Sequence, residues 1–204
     1  GVDGAADQLV ADIHAQGLTV DGLINNAGFS RTEGFLNTPP ADQQAMIRVM
    51  LTVPVQLSRA LVPGMVERGF GRVLNVASLA GRMPATGGDT LYGPIKSFMI
   101  KASQGLWLEM RGTGVHVTAL CPGYTLTEFH DANGTRDEVS SAYPAWMWQT
   151  ADHVARVGWR ACEANRPQVT PGVMNNLMAG LAKHLPDGMA LSMVGGHAKR
   201  LKRI

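Results

Sequence analysis

Apolar positions along the chain recur either at helical spacing or in short continuous runs. Ala6, Leu9, Val10 and Ile13 follow one another at spacings of three and four, which predicts a helix that Gly17 closes. Short apolar runs bounded by turn residues predict buried strands. The predicted strands span residues 20–24, 72–77, 115–120 and, more weakly, 168–170.

Longer stretches with helical periodicity separate these strands. They predict helices over residues 41–67, 91–110, 152–164 and 174–185, with residues 125–150 irregular. Pro54 and Pro63 are expected to kink or divide the first of these helices, because proline lacks the amide hydrogen that a helix interior requires.

Strands that alternate with helices indicate βαβ units with helices on both faces of a parallel sheet. We therefore predict an α/β fold, a Rossmann-like doubly wound parallel sheet formed by residues 1–204 as one domain. In such sheets, ligands bind beyond the carboxyl ends of the strands. Unusual residues follow three of the predicted strands there: Asn25-Asn26, Ser78 and Cys121-Pro122-Gly123.

Composition narrows the class of protein. Apolar residues make up 45% and charged residues 17%, and a formal net charge of +2 gives no reason to expect nucleic-acid binding. No apolar run reaches the length of about 18 residues that a membrane span needs, so no membrane partner is predicted. Much of the positive charge lies in residues 197–204, which could contact phosphates or an acidic membrane surface; we favour a solvated terminus.

The cysteines and histidines give no sign of a disulfide framework or a metal site. Cys121 and Cys162 are far apart and lack the CxxC spacing, which favours a reducing, cytoplasmic setting. We interpret Cys121 as a small buried apolar residue, because no base is evident beside it. No metal ligands are predicted among the scattered histidines, which are His14, His116, His130, His153, His184 and His197.

Tyr92 and Lys96 are the residues with the clearest chemistry. They lie four apart on a predicted helix and therefore share one face. A phenol has a pKa of about 10, and a nearby ammonium is expected to lower it. Ser78 ends a strand and could donate to a carbonyl oxygen where negative charge develops. Because Pro94 is tolerated only near a helix start, Tyr92 should lie in the first turn, with residue 89 or 90 (Asp89 or Thr90) as the cap.

Four motifs together resemble those of the short-chain dehydrogenase/reductase family, in its shorter, single-domain branch. They occur in the family's order and at about its spacings over essentially the whole chain. They are Asn25-Asn26-Ala27-Gly28 (NNAG), Asn75-Val76-Ala77-Ser78, Tyr92-Gly93-Pro94-Ile95-Lys96 (YxxxK) and Pro122-Gly123-Tyr124-Thr125-Leu126-Thr127 (PGxxxT).

The resemblance implies an oxidoreductase that interconverts a carbonyl and an alcohol with NAD or NADP. Tyr92 would be the acid or base, Ser78 would polarise the substrate carbonyl, and Lys96 would bind the nicotinamide ribose and lower the pKa of Tyr92. The implied cofactor-binding residues are Asn25, Ala27, Gly28, Tyr92, Lys96, Pro122, Gly123 and Thr127. The resemblance also implies a small-molecule substrate and a homodimer or homotetramer formed through the long helices.

Two departures from the family pattern qualify this picture. The family begins with a TGxxxGxG turn that binds the pyrophosphate at a helix N-terminus, and no such turn occurs here. We therefore expect a fragment that lacks the first βαβαβ portion, with its first strand at an unpaired edge, and weak cofactor binding, low activity and low stability by itself. The asparagine that supports the family's proton relay falls on Met50, which forms no strong hydrogen bond.

Two further segments have alternative interpretations. Trp146-Met147-Trp148 could form an apolar lid that suits an apolar substrate, or one tryptophan could pack on the core while the other lies on the surface. Residues 174–185, followed by the basic end, could form an interfacial membrane helix, although packing on the domain or on a second subunit is favoured.

A second functional class stays open beside the enzyme. The same fold can carry a non-catalytic nucleotide-sensing or interaction protein. Met50 and the lack of a glycine-rich turn favour that alternative, whereas Ser78, Tyr92 and Lys96 together favour the enzyme.

Overall fold

The computed structural model describes the backbone of residues 2–85, 87–129, 141 and 143–200, and their side chains except at 193 and 195–200. The interpretations of His130, of the side chain of His197 and of the last four residues therefore lie outside the described residues. The helices are α1 (Ala5–Ala15), α2 (Pro40–Ile47), α3 (Val53–Glu67), α4 (Tyr92–Glu109), α5 (Ala151–Glu163), α6 (Val173–His184) and α7 (Asp187–Arg200). The strands are β1 (Gly22–Asn25), β2 (Gly71–Val76), β3 (Val115–Leu120), β4 (Thr125–Leu126), β5 (Gln149–Thr150) and β6 (Gln168–Val169).

The main sheet is parallel and has the order β1-β2-β3-β6. Side chains alternate across it, so that neighbouring residues of one strand pack on opposite layers. Val73 lies in a cluster with Leu61 of α3 and Val117, whereas Leu74 packs with Val154 of α5. Helices thus cover both faces, and the predicted doubly wound α/β fold is confirmed.

Strand β1 lies at the edge of this sheet, as expected. It pairs with β2 alone among the described residues. Leu23 is buried against the first layer, but Ile24 points to the opposite face and is 55% exposed. The edge therefore presents both unpaired backbone groups and an apolar side chain.

The long helical region from Pro40 to Glu67 is divided just before Pro54, as expected, and is not divided at Pro63. A π-helical turn, Arg48–Thr52, separates α2 from α3. Pro54 lies in the first turn of α3, where proline is tolerated, and Pro63 lies inside α3 without ending it. By length and composition alone, Pro40–Glu67 could cross a membrane.

Three further expectations need correction. Residues 125–150 are not wholly irregular, because β4 and β5 pair in a second, parallel sheet. Helix α7 was not predicted, since its small and polar residues blur the apolar periodicity. Neither Asp89 nor Thr90 caps α4: the cap position is Leu91, which makes no side-chain capping bond. Asp89 instead accepts a hydrogen bond from Ser30 Oγ at 2.8 Å.

Candidate active site

Ser78 stands where β2 ends and the chain turns towards α4. Its backbone is extended, and its side chain caps a short 3₁₀ turn, Leu79–Arg82, by accepting from the Ala80 amide at 3.1 Å. The Leu79 amide donates to the Pro122 carbonyl oxygen at 2.8 Å. The loops after β2 and β3 are therefore joined at the carboxyl edge of the sheet, where ligands of such folds bind.

Gly81 sets how closely this serine loop approaches α4. A Cβ built on residue 81 would fall 2.6 Å from the Lys96 carbonyl carbon and 2.7 Å from the Ser97 nitrogen. Because those are backbone atoms, they cannot swing aside. The absence of a side chain at residue 81 thus allows the loop bearing Ser78 to lie directly on the helix bearing Tyr92 and Lys96.

Tyr92 lies in the first turn of α4, as Pro94 predicted. The Ser78 side chain is close enough to the Tyr92 phenol to lower its pKa. Burial raises the pKa of Tyr92 to about 12; Ser78 opposes this rise and the negative charge of Asp89 adds to it. Tyr92 is therefore a neutral proton donor near pH 7. The Phe129 ring lies against it, with ring centroids 5.9 Å apart.

Lys96 is buried one helical turn beyond Tyr92. Its Nζ donates to the Val76 carbonyl oxygen at 2.7 Å and lies 5.6 Å from the Tyr92 ring centroid. Burial lowers the pKa of Lys96 to about 8, against a smaller opposite effect of Cys121. Lys96 is not among the causes of the Tyr92 pKa shift, of which desolvation of the phenol is the largest, so the expected lowering by Lys96 stays a prediction.

The NNAG segment reaches the same place from β1. A Cβ on Gly28 would lie 3.0 Å from Met50 Sδ and 3.7 Å from Lys96 Nζ. Met50 is fully buried in the π-helical turn and packs with Met46 and Ile95. The apolar thioether of Met50 thus lies where the family resemblance places the asparagine of its proton relay. A π-helical turn within a longer helix, such as the one that holds Met50, is frequent at functional sites.

Asn25 faces inwards and belongs to a buried polar chain that the sequence did not reveal. Its amide donates to Asn75 Oδ1 at 2.7 Å, Asn75 Nδ2 donates to Ser103 Oγ at 2.8 Å, and Ser103 donates to the Met99 carbonyl oxygen at 2.7 Å. The Asn25 side chain is thus engaged in holding β1, β2 and α4 together. Any contact of this residue with a cofactor falls to its backbone and remains a prediction.

The PGxxxT segment borders the site on the side of β3. A Cβ on Gly123 would lie 2.6 Å from Nδ2 of the buried Asn175, whose amide donates to the Pro171 carbonyl oxygen at 2.8 Å. The Thr127 hydroxyl accepts from the Phe129 amide at 3.3 Å, and Phe129 touches Tyr92. Asn175 lies far along the chain in α6, so its place behind Gly123 could not be read from the sequence.

Other candidates adopt structural positions. Cys121 is fully buried, and burial raises the pKa of its thiol to about 12, so it is no nucleophile near neutrality. Trp148 packs beside Tyr124 with ring centroids 5.4 Å apart, whereas Trp146 is 66% exposed. Within the described part of the chain, no three His, Cys, Asp or Glu side chains are grouped to hold a metal ion.

Ala27 is exposed beside Gly28, and Pro122 anchors the serine loop through its carbonyl oxygen.

The structure therefore brings three catalytic candidates, Ser78, Tyr92 and Lys96, to one edge of the sheet. Segments 25–28 and 122–127 flank them from neighbouring strands. This convergence of residues that are distant in sequence is what a proton-transfer site beside a bound ligand requires.

Known proteins resemble this chain in both sequence and fold. A family model described as short chain dehydrogenase matches residues 3–138. A ketoacyl reductase of Nostoc sp. is 38% identical over 105 residues, which cover 52% of this chain and 36% of that protein. The NADP-dependent 3-hydroxy acid dehydrogenase of Escherichia coli K12 is 32% identical over 164 residues, which cover 76% of this chain and 64% of that protein.

A solved structure of a serine dehydrogenase complexed with NADP⁺ superposes with a TM-score of 0.71 at 30% identity, covering 82% of this chain and 70% of that one. The matched region thus spans from about a third to two thirds of the full length of these proteins.

Proposed function

The chain belongs to the short-chain dehydrogenase/reductase family, and from that membership we propose that it is an NAD(P)-dependent oxidoreductase that interconverts a carbonyl compound and its alcohol. The observation that carries the proposal is the contact between Ser78, Tyr92 and Lys96 at the carboxyl edge of the parallel sheet. We propose that the 204 residues act in this chemistry as one α/β domain.

The chemistry follows from the protonation states. Tyr92 holds its proton near neutrality because burial raises its pKa to about 12, so it donates to the carbonyl oxygen during reduction. Ser78 lies beside Tyr92 and holds the same oxygen, where negative charge develops. In the reverse direction Tyr92 takes the proton from the alcohol, which requires the phenolate and is favoured at alkaline pH.

The residues present fit the nicotinamide side of the cofactor. An ammonium has three hydrogens, and within the described residues the structure shows one of those of Lys96 accepted, by Val76. Gly28 lies beside Lys96 Nζ, and a Cβ on it would be 3.7 Å from that nitrogen. Lys96 would bind the ribose hydroxyls, with Ala27, Gly28, Pro122, Gly123 and Thr127 along the ring. When bound, NAD(P)H supplies the hydride.

The names of the relatives support this proposal. The Escherichia coli relative is NADP-dependent and acts on 3-hydroxy acids, and the serine dehydrogenase was solved with NADP⁺. We propose NADP or NAD as the cofactor and a small carbonyl compound or alcohol as the substrate. Homodimers or homotetramers, and the absence of nucleic acid as a partner, stay predictions from the sequence.

The test combines binding and turnover with matched variants. Titration calorimetry with NADP⁺ and NAD⁺ measures binding, and loss of NAD(P)H absorbance over a panel of ketones and 3-oxo acids measures turnover. Tyr92→Phe should lower turnover by roughly 10²- to 10⁴-fold without loss of binding. Lys96→Met should also weaken binding, whereas Lys101→Met, an exposed residue on the same helix, should change neither. Turnover that survives Tyr92→Phe would refute the mechanism, and binding without turnover of any compound would favour a nucleotide sensor.

A further inference from the structure

The 3₁₀ turn that follows Ser78 is attached to the rest of the protein at both of its ends. At its start, the Leu79 amide donates to the Pro122 carbonyl oxygen at 2.8 Å. At its end, Arg82 Nη1 donates to Thr170 Oγ1 at 2.7 Å, across 88 positions of the chain. The first attachment uses backbone atoms, which almost every residue type supplies, whereas the second depends on two particular side chains.

Arg82 belongs to the same hydrogen-bonded turn as Ser78. The Gly81 amide donates to the Ser78 carbonyl oxygen at 3.1 Å, and the Met83 amide donates to the Ala80 carbonyl oxygen at 3.3 Å. The Ser78 hydroxyl accepts from the Ala80 amide at 3.1 Å. Because these bonds overlap along the turn, a movement of Arg82 displaces the backbone that orients the Ser78 hydroxyl.

Thr170 is a fixed anchor for this arginine. It lies directly after β6 and is only 6% exposed. Its carbonyl oxygen accepts from Asn176 Nδ2 of α6 at 2.6 Å, and the same amide donates to the Gly172 carbonyl oxygen at 2.9 Å. Helix α6 also packs on the 3₁₀ turn itself. The bond from Arg82 to Thr170 therefore ties the turn after Ser78 to both β6 and α6.

The surroundings of Arg82 show that this bond is its main attachment. The arginine is partly buried, and no acidic side chain in the described part of the chain pairs with it. Arg82 and Thr170 both lie close enough to Cys121, directly after β3, to lower the pKa of its thiol against the larger effect of burial. The chain ends of β2, β3 and β6 thus meet around one arginine. A hydrogen bond from a charged donor is roughly twice as strong as one between neutral groups.

We propose that Arg82 is a positioning residue for Ser78, because through Thr170 it holds the turn after Ser78 in place against the ends of β3 and β6. Groups that act on a substrate must be held within about 0.5 Å of their productive positions. The catalytic consequence rests on the function proposed above, in which Ser78 holds the substrate oxygen. The coupling between Arg82 and the turn is a property of the fold and is measurable without turnover.

Hydrogen exchange at the amides of residues 79–83, followed by mass spectrometry on the full chain, tests the coupling. Arg82→Met keeps a long side chain but removes the donors, so these amides should exchange roughly tenfold faster or more. Thr170→Val keeps the shape of the side chain but removes the acceptor, and should give the same result. Arg82→Lys retains a charged donor and should restore part of the protection.

Turnover measures the consequence for catalysis. In Arg82→Met and Thr170→Val, kcat should fall roughly tenfold to a hundredfold. The Kd of NADP⁺ should stay as in the parent, because Ser78 holds the substrate and not the cofactor. The double variant should be no slower than the slower single variant, since both substitutions remove the same bond.

Arg68→Met is the matched control. Arg68 also joins distant segments, because its Nη2 donates to the Val20 carbonyl oxygen at 2.8 Å and to the Asp21 carboxylate at 3.0 Å. These bonds lie just before β1, at the amino edge of the sheet and away from Ser78. The control should lower stability without faster exchange at residues 79–83 and without a change in kcat.

Four results would count against the proposal. Unchanged exchange in Arg82→Met, shown folded by circular dichroism, would overturn the coupling and leave the proposed function intact. Faster exchange with an unchanged kcat would show that the turn does not position Ser78. An equal loss of kcat in Arg68→Met would reduce the effect to general stability. A parent chain that turns over no compound of the panel would overturn the proposed function, and with it the catalytic role of Arg82.

Discussion

Gly81 and Lys96 are in backbone contact: a Cβ on residue 81 would lie 2.6 Å from the carbonyl carbon of Lys96. This approach places the loop that carries Ser78 against the first two turns of α4. The bond from Lys96 Nζ to the Val76 carbonyl oxygen spans the same junction, and Ser78 acts across it on the pKa of Tyr92. The arrangement of these candidate catalytic residues therefore depends on Gly81, whose side chain is a single hydrogen atom.

Gly81→Ala should lower both stability and activity. The added methyl group meets backbone atoms, so the serine loop or α4 must shift, at a cost of about 1–3 kcal/mol in the free energy of unfolding. A shift of this size in catalytic groups should lower kcat/KM by roughly tenfold to a hundredfold. Urea denaturation and turnover measure the two effects.

Gly105→Ala provides the matched control for Gly81→Ala. Gly105 lies within α4, and a Cβ there would meet nothing within 4 Å. Alanine is favoured over glycine inside a helix by roughly 0.5–1 kcal/mol, so this variant should be slightly more stable and equally active. Equal behaviour of the two variants would show that the contact between Gly81 and Lys96 is unimportant.

Asn75→Ala should be strongly destabilising although the residue touches no ligand. It removes the acceptor for the Asn25 amide and the donor to Ser103, and leaves buried polar groups without partners. The expected cost is about 1–3 kcal/mol for each stranded group. A double-mutant cycle of Asn75→Ala with Ser103→Ala, measured by urea denaturation, should give a coupling energy of roughly 1 kcal/mol. Additive losses would contradict the network.

Lys96 should make the stability of the protein rise between about pH 8 and pH 10.5. Burial lowers its folded-state pKa to about 8 from its ordinary value of 10.5, so in this range the unfolded chain binds the additional proton. Stability then increases with pH, because the burial penalty applies only to the charged form. The increase should amount to roughly 3 kcal/mol.

The difference in unfolding free energy between the parent chain and Lys96→Met isolates this effect of pH. Tyr92 and Cys121, whose pKa values rise on folding, act in the opposite direction in both proteins, and Lys96 is the smallest of the causes that act on the Cys121 pKa. Lys101→Met, on the exposed side of α4, should retain the parent's pH dependence. A difference between parent and Lys96→Met that stays flat across this range would show that Lys96 is not desolvated.

Asp89→Asn should move alcohol oxidation to lower pH. The carboxylate of Asp89 raises the pKa of Tyr92, and oxidation requires the phenolate. Asparagine retains an acceptor for the Ser30 hydroxyl but has no charge. The alkaline rise of the pH–rate profile should shift downwards by about one unit or less. Asp12→Asn, on exposed α1, should leave the profile in place, and an unshifted profile for Asp89→Asn would contradict the electrostatic role of that carboxylate.

Local patterns in the sequence were sufficient to predict the fold class and to select the candidate site residues, whose roles stay a proposal. Strand β3 was predicted at its observed residues, and Pro94 placed Tyr92 in the first turn of α4, because both depend on local apolar runs and local stereochemistry. The motifs that hold Ser78, Tyr92 and Lys96 depend on residue types at fixed spacings, which a single chain displays directly.

Only the tertiary structure decided how these residues are surrounded. The contacts of Gly81 with Lys96, of Asn25 with Asn75, and of Asn175 with Gly123 join segments that are distant in sequence, so no local pattern contains them. The net rise of the Tyr92 pKa is a further property that no local pattern contains. Sequence shows that Lys96 is four residues away, but the loss of water around the phenol, which dominates the shift, is a property of the packed protein.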